Sequence, residues 1–138
     1  MNTKEMSEFL TRVLAGCECV PKADVRVVKN IDVNEEKFGQ CCLNKDNGAI
    51  TIHITDGLCT SPFRLSACMS VLAHEAVHAA LMDILDTLEL AGVLNEDTSR
   101  RINERAAQAA ESVVLNLIDN ADAIAKEFKT IVKAKEDE

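Results

Sequence analysis

Met6, Phe9, Leu10, Val13 and Leu14 recur at three- and four-residue intervals, which gathers apolar side chains on one face of a helix over residues 3–15, ended near Gly16. The period then changes. Residues 25–31 (VRVVKNI) are short and β-branched, and 38–44 (FGQCCLN) and 49–55 (AITIHIT) flank a KDNG segment whose Asn47-Gly48 pair suits a tight turn. Three strands are predicted, the last two forming a hairpin. In the last one Ile50, Ile52 and Ile54 face one way and Thr51, His53 and Thr55 the other, a core side and a polar side. Ser61-Pro62 reads as an N-cap and a first-turn proline, opening an apolar helix that runs to about Leu90, where Ala91-Gly92 breaks it. Asn95 to Asp97 open another helix, and Asp119-Asn120 cap a last one. The pattern predicts an α+β fold: an N-terminal helix, a small three-stranded sheet with a hairpin, then long helices. One domain is expected over 1–134, with a polar tail at 135–138.

Composition narrows the partners. The 138 residues suffice for one hydrophobic core, and the formal net charge of −8 works against nucleic acid and anionic membrane surfaces alike. Neither is an expected partner. The N-terminal MNTKEMSEFLTRVL scatters charges through its apolar positions, unlike a signal peptide or membrane anchor, so a cytoplasmic location is expected. That location keeps the six cysteines reduced. Cys17, Cys19, Cys41 and Cys42 fall as C-x-C and C-C where zinc ribbons use C-x₂-C, so they read as small buried apolar residues.

Between Leu65 and Met82 the long apolar helix contains no Asp, Lys or Arg, and Glu75 is its only acidic residue. Burying a lone carboxylate costs several kcal/mol unless something compensates it, and no lysine or arginine stands three or four positions away. A metal ion would. Glu75 lies within HEAVH, residues 74–78. Two histidines four apart project from one helix face and can converge on Zn²⁺, while the glutamate one residue on points beside the ion. There it can act as general base toward a water whose pKa zinc lowers to about 7. The motif therefore encodes two ligands, His74 and His78, and a catalytic base, Glu75.

A third protein ligand is needed. The longer H-E-x-x-H-x-x-G-x-x-H motif of the metzincins is excluded by Leu81 and Ile84, and no histidine follows His78. The ligand is then a carboxylate, and the next helix offers Glu104 and Glu111. Their seven-residue separation places both on one helix face about 10 Å apart along the axis, so only one is expected opposite the histidines. Small residues around Glu104 (Ala106, Ala107, Ala109, Ala110) would let the two helices approach closely, which favours it over Glu111, with Glu96 and Asp97 as alternatives nearer the turn.

HEAVH followed by INERAAQ resembles the gluzincins, zinc peptidases whose third ligand is a glutamate on a later helix. The order of elements over residues 24–118 is similar to the minimal gluzincins of the ImmA/IrrE type, often carried by phages and mobile elements. The resemblance implies a metallopeptidase that hydrolyses a peptide or protein substrate, with zinc held by His74, His78 and Glu104. It also implies a partner that orients a histidine four residues after the glutamate, where this chain has Gln108. With no Tyr in the chain, His53, Arg100 or Arg101 could stabilise the oxyanion. The polar side of the AITIHIT strand would run along the cleft, substrate pairing in extended form with an edge strand. Two other readings stay open: an inactive zinc-stabilised binding module, and a metal-free helical interaction protein.

Overall fold

The computed structural model describes residues 2–29, 38–60 and 64–136. Helix α1 (Thr3–Ala15) is opened by Asn2, whose side chain accepts from the Glu5 N–H at 3.1 Å, and it turns its buried Leu10 and Leu14 onto the sheet. Strands β1 (Ala23–Val28), β2 (Gly39–Leu43) and β3 (Ile50–Thr55) follow. The expected hairpin is present: β2 and β3 pair antiparallel through a turn in which Gly48 takes a φ of 72°, a conformation glycine adopts without strain. β1 runs parallel to β3, giving the order β1-β3-β2. The fold is α+β.

This order leaves β1 and β2 as edges, and among the described residues only the β1 edge is sealed. The outward N–H of Val25 donates to Thr11 Oγ1 and that of Val27 to Ser7 Oγ, both at 2.9 Å. One turn of α1 thus supplies the partners that a fourth strand would have supplied. Beneath it lies the core of Leu10, Leu14, Val25, Val27, Ile52 and Ile54, closed by Cys59, Cys68, Leu72 and Ala76. Ile52 and Ile54 are fully buried, as their alternation predicts.

A short helix, α2 (Asp56–Thr60), follows β3 directly and was not foreseen. The expected Ser61-Pro62 cap lies outside the described residues, which resume in α3 (Arg64–Leu90). By length and composition alone α3 could cross a membrane. Cys68, Leu72, Ala76 and Ala79, at helical spacing, are instead buried within the molecule. After a turn through Gly92, α4 (Glu96–Asp119) is capped by Asn95, whose side chain accepts from the Thr98 N–H at 2.7 Å. α4 returns along α3 with Ala107 fully buried, the close approach that small residues permit. α5 (Ala121–Glu136) ends the described chain, so residues 135 and 136 extend a helix where a frayed tail was expected. Of the four cysteines read as buried, Cys17 and Cys19 are exposed and Cys41 and Cys42 half-buried. The first two fall beyond the end of α1, where no layer covers them.

Candidate metal centre

α3 carries His74, Glu75 and His78 at its middle, and α4 crosses them with Glu104. His74 Nε2 lies 3.3 Å from Glu104 Oε1, and His78 Nε2 lies 3.4 Å from Glu104 Oε2. The ligand atoms of this group all fall within 4.8 Å of one another. Donors about 2.05 Å from a tetrahedral zinc sit ~3.3 Å apart, so the two nitrogen–oxygen spacings suit such an ion. They exceed the 2.7–2.9 Å of a tight charged hydrogen bond.

The other edge of each imidazole is held from α4. His74 Nδ1 is 2.7 Å from Glu111 Oε2, and His78 Nδ1 is 2.8 Å from Asn103 Oδ1. Because both partners are acceptors, each Nδ1 carries the proton, which leaves the Nε2 lone pairs for a metal. The rings meet edge to face, 4.8 Å between centroids. α3 and α4 run antiparallel, so the earlier histidine meets the later α4 residue and the later histidine the earlier one.

Several expectations change here. Only one of Glu104 and Glu111 was expected to face the histidines, yet both reach His74, because an imidazole offers nitrogens on two edges. Gln108 was expected to orient a histidine, but it is exposed; it stands about 40° round α4 from Glu104, whereas Glu111 returns to within about 20°. Asn103 lies within the INERAAQ segment but no part was expected of it, and its contact with His78 was missed. The available signal was its place next to Glu104, one step along the same helix. Asp97 is engaged by Arg100 at 2.7 Å and Arg101 at 3.6 Å, and both arginine side chains are largely exposed.

The ligand group opens into a cleft of about 550 Å³ lined by α3, α4 and the stretch Phe38–Cys41. The strand bordering it is therefore β2 and not β3. β3 is the central strand and has no free edge to offer. His53 does not line the cleft; its Nδ1 sits 3.8 Å from Cys42 Sγ across the hairpin. Gly39 makes the contact between strand and helix, since a Cβ there would lie 2.6 Å from Val71 Cγ1 and 3.0 Å from both Cγ and Oε1 of Glu75. Only glycine allows β2 to come this close.

Glu75 is 6% exposed. Burial pushes its carboxyl above the ordinary carboxylate range; His78 and His74 pull it back, while Glu104 and Glu111 add to the rise. Cys41, beside it in the cleft wall, has its thiol pushed up to about 11, first by burial and then by Glu75 and Cys42. It is a neutral thiol at physiological pH. Compared with known proteins, the chain matches no family model, no curated protein and no solved structure.

Proposed function

We propose that this protein is a zinc-dependent peptidase of the gluzincin type in which His74, His78 and Glu104 hold the metal and Glu75 is the general base. The observation that carries the reading is the pair of Nδ1 contacts to Glu111 and Asn103, which turn both Nε2 atoms toward Glu104. Histidines serving only to pack would not need matched acceptors behind and a carboxylate in front.

When bound, zinc would lower the pKa of water toward neutrality and polarise a carbonyl oxygen. The chain's own residues do the rest. Glu75 stands one residue from His74 on the cleft side of α3, buried enough that its carboxylate binds a proton more readily than a solvated glutamate does. It takes a proton from the attacking water and delivers it to the departing amine, which closes the proton cycle on one carboxylate. The edge of β2, unsealed among the described residues, runs along the same cleft and offers backbone donors and acceptors to an extended peptide. Gly39 sets the depth of that wall by admitting no side chain between the strand and Glu75.

The test is metal analysis joined to a proteolysis assay. Protein purified without chelator and dialysed against zinc is expected to hold one zinc per chain and to cleave an unfolded, fluorescently labelled protein, with cleavage abolished by chelator and by Glu75→Gln. Absence of stoichiometric metal refutes the site. Metal without cleavage, unaffected by Glu75→Gln, makes the centre a structural clip between α3 and α4.

A further inference from the structure

A second crevice of about 340 Å³ continues from the metal cleft along the α3–α4 seam, and the two share His78, Met82, Asn103 and Glu104. Past the shared residues its walls are acidic. Asp86 and Glu89 come from the last turns of α3 and Glu96 from the first turn of α4. At its base is Ser99, 4% exposed, whose hydroxyl makes no hydrogen bond among the described residues and opens into the crevice. Water reaches this hydroxyl through the crevice, and a donor group of a ligand entering there would take the water's place. The one cation on the walls is Arg100, and its guanidinium is engaged by Asp97 at 2.7 Å.

We propose that this crevice receives the lysine or arginine side chain of a substrate residue lying within two positions of the cleaved bond. The inference rests on the peptidase reading for its substrate but stands on separate residues. Along α3, Asp86 and Glu89 lie about 12 Å and 16 Å beyond His78, a span covered by one or two extended residues at ~3.4 Å each plus a long cationic side chain. Three carboxylates along one seam select for positive charge, and Ser99 Oγ accepts from the ammonium or guanidinium. An apolar side chain of equal length would displace water from those groups and give them no partner in return.

The experiment is a nuclear magnetic resonance titration of zinc-treated protein with N-acetyl-arginine amide, using N-acetyl-citrulline amide as the uncharged counterpart of the same shape. Saturable shifts at the backbone amides of Asp86, Glu89, Glu96 and Ser99 are expected with arginine, and binding at least tenfold weaker with citrulline. Asp86→Asn and Glu89→Gln, both outside the metal ligands, are each expected to weaken arginine binding several-fold with unchanged circular dichroism. Equal binding of the two probes, or shifts confined elsewhere, overturns the proposal even if the protein proves to be a peptidase. Arginine binding at these residues in a protein that cleaves nothing upholds the crevice and removes the peptidase reading instead.

Discussion

Replacing Gly39 by alanine separates what the β2 wall does for stability from what it does for chemistry. The new methyl would lie 2.6 Å from Val71 Cγ1 and 3.0 Å from Glu75 Cγ and Oε1. Ordinary carbon–carbon contact is ~3.5–4.0 Å, so the overlap with Val71 is about 1 Å. Val71 is β-branched within a helix and holds essentially one rotamer, so it cannot swing aside. Glu75 can rotate, but only out of its position beside the histidines. Overpacking of this kind costs about 1–3 kcal/mol. At ~4 °C per kcal/mol for a chain of this size, melting should fall by about 4–12 °C. Zinc stoichiometry should hold, since no metal ligand is touched, whereas peptide hydrolysis should fall at least tenfold. Adding Val71→Ala opens space for the methyl, so the double variant should recover stability with a coupling of about 1 kcal/mol or more. Thermal melts, metal analysis and the proteolysis assay read the three quantities. Strict additivity of the two substitutions, or a Gly39→Ala protein with wild-type melting and rate, would refute the packing argument.

Glu104→Ala should nearly abolish zinc retention, while Glu111→Gln and Asn103→Ala should each weaken it about 10–100-fold, measured by chelator competition; wild-type affinity in both clamp variants would mean the Nδ1 contacts do not set the donors. Because the Glu75 pKa is raised on folding, the folded metal-free protein binds a proton more tightly than the unfolded chain. Its stability should therefore be highest at and below the ordinary carboxylate range and fall as pH rises through the raised value. Denaturation of the chelated protein against pH should show Glu75→Gln flattening this decline and stabilising the protein at neutral pH, and a variant that is less stable there would count against it. Ser7→Ala and Thr11→Val should each cost about 1 kcal/mol in urea denaturation by stripping a β1 N–H of its acceptor; a neutral result would mean that water replaces the hydroxyl. In thiol titration at pH 8, exposed Cys17 and Cys19 should react first, while Cys41 and Cys68, pushed up to about 11 and about 12, lag until the protein unfolds.

Periodicity carried the elements that packing leaves regular. The α1 stripe, the Ile50/Ile52/Ile54 alternation and the Asn47-Gly48 turn were all legible because each depends on neighbours within a few residues. The parallel pairing of β1 with β3 was not, since it joins strands more than twenty residues apart and nothing in VRVV prefers one partner. The same limit moved the cleft wall from β3 to β2: a polar strand face can be read from alternation, but not whether the strand is central or edge. At the site, the four-residue histidine spacing placed both rings, and small alanines on α4 pointed to Glu104. The clamps escaped because Glu111 and Asn103 act only through the antiparallel approach of two helices, a relation no spacing on one helix encodes.

The three candidate ligands and both acceptors behind the histidines belong to α3 and α4 alone, with a five-residue turn between them. The sheet contributes only the opposite wall. The helical hairpin is thus an inheritable cassette: mutation in Phe38–Cys41 can redraw what the cleft accepts without retuning the ligand set, and the hairpin can drift in its grip while the wall stays as it is. Gly39, set against both Val71 and Glu75 across that divide, is a place where the two halves must evolve together.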